Sequence, residues 1–271
     1  MSCKVKIVSD KITQYNIKIS VVTVVFNDKQ SLEKTIQSVI NQTHDNIEYI
    51  IIDGGSTDGT IDIIKKYEDK IDRFISEKDS GIYDAMNKAI DIASGDWINF
   101  MNAGDVFYDN NVIEKIFISD IEENVVCIYG DSSINYGSFK ITRKSGILEH
   151  LNKGMQFSHQ SLFVNSHYHK ENKFDLQLKL AADYNFIYST YVAGDKFIYK
   201  KLIVSRVTSG GVSDVKRLNS IIEAKKVVLS KRNTFLNRVY FNALFLKISF
   251  TNIIKQIIPI KLTQYIQGKM L

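Results

Sequence analysis

The sequence predicts an α/β fold, a mostly parallel central sheet flanked by helices and followed by a basic amphipathic helical tail. Two observations predict the body. From residue 17 onward, short apolar runs rich in β-branched residues alternate with segments whose apolar residues recur at helical spacing, as strands joined by covering helices do. Three of the first four strand ends carry carboxylates, Asp53, Asp79 and Asp105, and the carboxyl edge of such a sheet is where ligands bind. The tail follows from charge: residues 1–213 carry 24 Lys and Arg against 28 Asp and Glu, and residues 214–271 carry 11 against 2.

With 271 residues, 44% of them hydrophobic, the chain can bury one large core without disulfides or metals. Cys3 and Cys127 sit in no paired spacing, which excludes a disulfide framework and a thiolate metal site and fits a reducing cytoplasm. Residues 1–10 interleave lysines with short apolar steps and hold no apolar h-region, so no signal peptide is expected. The one boundary the composition supports lies near 214. It leaves a body at 1–213, with a first half at about 18–110 and a second half at about 111–213 that should build a second substrate's site, and a tail at 214–271.

The expected elements run in order: a buried strand at 19–26, then a helix at 31–41 capped by Ser31, with Leu32, Ile36, Val39 and Ile40 on one face. A strand at 48–53 leads through a Gly/Ser/Thr turn to a helix ending at Tyr67 and a strand at 73–77. The helix at 82–93 has Ile82, Ala85, Met86, Ala89, Ile90 and Ala93 as its core stripe, with Tyr83, Asp84, Asn87 and Lys88 on other faces. A strand at 96–101 ends in a polar turn. Beyond Asp120 the expected elements are strands near 125–134 and 156–164, a helix near 182–192 and a strand near 197–206.

Asp53 ends a buried strand and is followed by Gly54 and Gly55, which allow close backbone approach; it suits a hydrogen bond to a base or ribose. Asp58 or Thr57 caps the helix after it. Asp79 and Gly81 precede a helix N-terminus, where amide groups favour a diphosphate, and Asp79 itself suits ribose or base. Tyr83 and Asn87 share a face, as a donor contact or as a solvated stripe. Asn102-Ala103-Gly104-Asp105 is good surface-turn composition, and it is also a place where Asp105 can hold Mg²⁺ or Mn²⁺ with the help of substrate phosphates. There Asn102 offers a neutral carbonyl and Gly104 gives room for a pyrophosphate.

Taken together, Ser20-Val21-Val22-Thr23-Val24-Val25-Phe26-Asn27, the run from Asp53 to Thr60, the run from Asp79 to Lys88, and Asn102-Ala103-Gly104-Asp105 resemble family 2 glycosyltransferases, in particular those of colanic acid and other exopolysaccharide clusters. The resemblance implies a GT-A fold, inversion at the anomeric carbon and a divalent metal bridging the diphosphate of a UDP-, GDP- or dTDP-sugar. It places Thr23 and Asn27 in the nucleotide pocket with Asp53 and Asp79, and makes Asp105 the metal-binding end of a DxD-like motif in which Asn102 stands where many relatives carry an acid. The acceptor is then a glycan or lipid-linked glycan, and the family's acidic base falls on Asp183, which otherwise is a plain helix cap. His159 and Gln160 resemble an acceptor-side or metal-side element, with a structural histidine as the other reading. Arg206 and the glycines of a lid, Gly210 and Gly211, complete the expected site.

The run 239–260 is long enough to span a bilayer, but Lys247 and Lys255 interrupt it. Leu246, Phe250, Ile253 and Ile257 make one stripe and Lys247, Thr251 and Lys255 face away, which fits a helix lying on an anionic membrane on the cytoplasmic side, or one docked on the body or in a homodimer. A nucleic-acid partner is not expected. Two rival functions are a nucleotidyltransferase, disfavoured because Asn27-Asp28-Lys29-Gln30 has no glycine, and a non-catalytic sugar-nucleotide or polysaccharide binder, which Asn102 favours.

Overall fold

The computed structural model describes residues 17–211 and 215–257. Its centre is a nine-stranded sheet in the order β3-β2-β1-β4-β8-β6-β9-β5, with β7 pairing to β6. The strands are β1 (Ile19–Val25), β2 (Ile47–Asp53), β3 (Arg73–Ser76), β4 (Trp97–Phe100), β5 (Val106–Phe107), β6 (Val125–Asn135), β7 (Lys140–Arg143), β8 (Leu162–Asn165) and β9 (Lys196–Thr208). Strands β1 to β4 are mutually parallel, as the alternating pattern predicts. Beyond them β8 runs antiparallel to both β4 and β6, while β6 and β9 are parallel. The sheet is thus mixed, and the regular strand–helix rhythm stops where the antiparallel half begins.

Helices α1 (Lys29–Ile40), α2 (Thr60–Lys66), α3 (Ile82–Ile92) and α4 (Val112–Ile116) belong to the parallel half, and α5 (Ser166–Glu171) and α6 (Ala182–Ala193) to the other. Two apolar clusters result, one packing α3 and α6 against the sheet and one packing α1 and α4. Two local expectations need correction. Asp28, not Ser31, caps α1, its carboxylate accepting from the Ser31 amide at 3.2 Å. In α3, Ile82 is exposed and Tyr83 buried, because the stripe is turned toward the antiparallel half rather than centred on the parallel strands.

Helices α7 (Arg217–Lys231) and α8 (Phe235–Ile257) make up the described part of the tail. They are not detached: Val227, Val228 and Phe241 are buried in the same cluster as α3 and α6. Glu223 of α7 accepts the amides of Lys179, Leu180 and Ala181, just ahead of α6.

At the edge opposite the strand ends, Glu48 is only 2% exposed and ties four segments together. It accepts from the Ser20 hydroxyl (2.5 Å), the Ser94 amide and hydroxyl (both 2.7 Å) and Arg73 Nε (3.2 Å). Gly95 is required beside it, since a Cβ there would stand 2.6 Å from the Ser20 nitrogen. Burial pushes the Glu48 carboxyl up, but the hydrogen bonds from Ser20 and Ser94, with the charge of Lys18, outweigh it and hold the group at about 2. A carboxyl depressed in the fold stabilises it above its unfolded value and loses that contribution as pH falls toward 2, on the order of 3 kcal/mol here. Glu48→Gln is therefore expected to melt well below the wild type at pH 7, with the gap closing between pH 5 and pH 2. A melting difference independent of pH overturns this.

Candidate active site

The carboxyl ends of β1 and β2 are built around Asp53. It is fully buried, and its Oδ2 accepts from the amides of Gly55 (3.0 Å) and Ser56 (2.9 Å) and from the Ser76 hydroxyl (2.7 Å). These bonds shape the turn, while Oδ1 is buried without a partner. Gly54 is needed for close approach: a Cβ there would lie 2.5 Å from Asp79 Oδ2 and 3.3 Å from the exposed ring of Phe26. Asn27, at φ 49°, accepts from the Thr57 amide and donates its own amide to Ser56. Asp58 is a turn residue, accepting from the Lys29 amide and from Thr60. So Asn27, Phe26 and Asp79 gather around the crevice at these strand ends, with Asp53 buried beneath them and its Oδ1 free.

Three expectations fail here for physical reasons. Thr23 is fully buried and its hydroxyl is spent within the sheet, sharing a hydrogen bond with the Tyr49 hydroxyl and donating to the Met101 carbonyl. Asn87 pairs both ways with the Phe174 backbone, which makes it a brace between the two halves. The amides of Ser80 and Gly81 are taken by Asp84 and Asp79, leaving the start of α3 already supplied with anions.

The turn after β4 folds tightly, with the Asp105 amide donating to the Asn102 carbonyl and Gly104 at φ 92°. Asp105 is 9% exposed; its Oδ2 accepts from Gln160 Nε2 at 2.6 Å and its Oδ1 from the Thr208 amide at 3.2 Å. Burial pushes its carboxyl above the ordinary range, against those bonds and the nearby His159. Asn102 Oδ1 is buried and has no partner. Among the described residues no cluster of three or more His, Cys, Asp or Glu can hold a metal. One carboxylate and one orphaned amide oxygen nevertheless fit a hard cation that takes its remaining ligands from a diphosphate.

The antiparallel half brings its own groups to this turn. His159 stands in a short turn (His159–Ser161) that leads into β8, with Nε2 3.1 Å from Asn102 Nδ2 and Nδ1 3.5 Å from Asp183 Oδ2. Asp183 lies in the first turn of α6 but caps nothing; the N-cap is Ala181, without a side-chain bond. Instead Asp183 Oδ1 accepts from the Tyr83 hydroxyl at 2.8 Å. Arg206 sits over the Tyr108 ring at 5.3 Å, with its Nε buried and unpartnered. Gly210 is at φ 93° and Gly211 is exposed; the loop's next residues, 212 and 213, lie outside the described ones.

The structure thus gathers Asn102, Asp105, His159, Gln160 and Asp183 into one connected group. Sequence reasoning missed Thr35 and Thr208, whose hydroxyls meet the Gly104 amide and carbonyl, and Glu223 behind α6. A threonine in a helix face or at a strand end carries no signal of such a role.

A curled α/β sheet with carboxylates gathered along its carboxyl edge has the GT-A architecture of glycosyltransferases. The Glycosyl transferase family 2 model matches residues 20–203, so the chain belongs to that family and is a glycosyltransferase. It is similar to a PGL/p-HBAD biosynthesis glycosyltransferase of Mycobacterium tuberculosis, 29% identical over 175 residues, 62% of this chain and 67% of the relative. Two solved structures share the fold. Staphylococcus aureus TarS 1-349 in complex with UDP-GlcNAc has a TM-score of 0.62 at 18% identity, covering 85% of this chain and 72% of the other. The mannosyltransferase PcManGT of Pyrobaculum calidifontis, in complex with GDP-Man and Mn²⁺, has a TM-score of 0.62 at 14% identity, covering 85% and 70%.

Tyr83→Phe keeps the ring packed on Phe174 and removes only the bond to Asp183. The expected result is an unchanged melting temperature and a turnover lowered by roughly tenfold, the scale of one hydrogen bond to a charged group. Wild-type turnover in the folded variant shows that Tyr83 does not position Asp183.

Proposed function

We propose that this glycosyltransferase moves a sugar, with inversion, from a nucleoside-diphosphate sugar to a hydroxyl of a glycan or lipid-linked glycan in surface polysaccharide synthesis. The observation that carries this reading is Asp183, brought from the antiparallel half to the turn that follows β4 and held there by a residue of the nucleotide-side motif. The two solved relatives that hold UDP-GlcNAc and GDP-Man support a nucleotide-sugar donor.

In this mechanism Asp53, Asn27 and Asp79 line the nucleoside end of the crevice. Asp183 takes the proton of the acceptor hydroxyl as its oxygen bonds to the anomeric carbon, and the bond from that carbon to the diphosphate breaks with its electron pair leaving on phosphate. Asp105 and the free oxygen of Asn102 are the residues to hold Mg²⁺ or Mn²⁺, which when bound neutralises the departing diphosphate. Gln160 and Thr208 hold the Asp105 carboxylate in place, one on each oxygen.

Paired variants test this. Asp183→Asn is expected to lower transfer by roughly 10² to 10⁴ while donor binding and melting temperature persist. Asp105→Ala is expected to abolish Mn²⁺-dependent nucleoside diphosphate binding in titration calorimetry without unfolding the protein. Near wild-type turnover in the first, or unchanged affinity in the second, removes that residue from its role.

The same reading places the enzyme on the cytoplasmic face of an anionic membrane. No helix among the described residues is long and apolar enough to cross one. Helix α8 instead buries Phe241 and Ile248 while leaving Phe235, Leu236, Leu246 and Phe250 at 65 to 78% exposure. Ile253 and Ile257, the rest of the expected stripe, have side chains outside the described ones. The protein should sediment with anionic vesicles, less so as salt rises, since each surface Lys or Arg contributes about 1 kcal/mol. The double variant Leu246→Asp, Phe250→Asp should stay in solution, and equal sedimentation of the two proteins rejects the surface.

A further inference from the structure

The contacts around His159 leave one arrangement of hydrogens for a neutral ring. A neutral imidazole carries one N–H and one lone pair. Asp183 faces Nδ1 and, as a carboxylate, can only accept; its other oxygen is already met by Tyr83. The N–H therefore belongs on Nδ1, and Nε2 is left needing a donor. Asn102 Nδ2, 3.1 Å away, is that donor. This fixes which end of the Asn102 amide faces the ring and turns Oδ1, buried and without a partner, away from it. A carboxylate at position 102 cannot do this. It would ask for a hydrogen on Nε2 as well, leaving either a ring protonated on both nitrogens or an Nδ1 lone pair set against Asp183.

The geometry points to Asn102 as an adapter: its Nδ2 holds His159 in the Nδ1–H form that orients Asp183, while its Oδ1 is left to the donor side of the site. The inference rests on the reading of Asp183 as the base, and it gives Asn102 and His159 positioning roles. It also accounts for an amide in the place where a second metal-binding acid is the familiar choice. The 3.5 Å between His159 and Asp183 is long for a hydrogen bond, as contacts between catalytic groups often are before substrates arrive.

The test starts with a long-range ¹H–¹⁵N spectrum of the imidazoles in the full-length, metal-free protein at pH 8, with the His159→Asn variant identifying the resonance among the five histidines. His159 is expected to show a protonated Nδ1 and a bare Nε2; Asn102→Asp is expected to put a hydrogen on Nε2, whereas Asn102→Ala keeps Nδ1–H against Asp183 and shifts only the Nε2 resonance, which loses its donor. A wild-type ring protonated on Nε2, or on both nitrogens, overturns the inference, as does a ring unchanged in both variants.

Kinetics give the second arm. His159→Asn sets an amide N–H near the place of Nδ1, and His159→Gln near that of Nε2. The asparagine variant should keep the larger share of kcat and the glutamine variant should lose roughly tenfold or more, with the donor KM unmoved in both. Equal kcat values, or a change confined to donor KM, overturn it. Wild-type turnover in Asp183→Asn together with the expected spectrum would instead reject the base and leave the adapter standing.

Discussion

The bond between Tyr83 and Asp183 joins residues one hundred positions apart and holds the two halves of the molecule in working register. Tyr83 rides on α3, fixed to the parallel strands by Ala85, Met86, Ala89 and Ile90; Asp183 rides on α6, fixed to the antiparallel ones by Phe186 and Ile187. Behind the bond, Phe174 packs at 5.5 Å from Tyr83, 5.7 Å from Phe100 and 5.9 Å from Phe186, and its backbone is clamped by Asn87. His169 completes this apolar seat, where burial pushes its ring down to about 4 and keeps it neutral. Phe100, His169, Phe174 and Phe186 also border a small cavity that His159 and Asp183 line, so the carboxylate stands over a partly open apolar seat and its hydrogen bonds are what fix its direction.

The two edges of the sheet treat carboxylates in opposite ways. Glu48 has both oxygens saturated by neighbouring donors, which is what a buried charge needs if its role is to hold segments together. At the other edge Asp53 keeps one oxygen without a partner, Asn102 does the same, and burial works against the charge of Asp105. Buried acceptors left short of donors cost stability on their own. Asp53 and Asn102 each leave an acceptor free at the carboxyl edge, where the fold binds ligands, while Glu48 at the other edge is fully supplied.

Periodicity made the first four strands and their helices legible because β1, β2 and β4 are covered on both faces and read as largely apolar runs, with the short edge strand β3 following in the same rhythm. The same reasoning misplaced Tyr83 and Asn87. Helical spacing tells which residues share a face, but the partner of that face here is α6 and the segment before it, whose approach no local pattern encodes. Thr23 was drawn into the pocket by its motif, yet a hydroxyl within a central strand satisfies itself on a neighbouring chain segment, as this one does on Tyr49 and Met101. Asp105, His159 and Asp183 were each legible as candidates; that they form one connected group through Asn102 and Gln160 is a property of the antiparallel crossing of β4 and β8.

The tail shows how a charge count can mislead about architecture. Its excess of lysine and arginine over two acidic residues reads as an appended basic arm. One of those acids, Glu223, spends both oxygens on the amides of Lys179, Leu180 and Ala181, the three residues that lead into α6. Val227 and Val228 add the packing that keeps α7 in place. The helix that carries Asp183 is thus held just ahead of its start by a residue from the tail, so the position of Asp183 depends on a segment remote from it in sequence. The basic and exposed apolar residues of α8 lie outward from this contact, so the tail is an inner support and an outer surface at once.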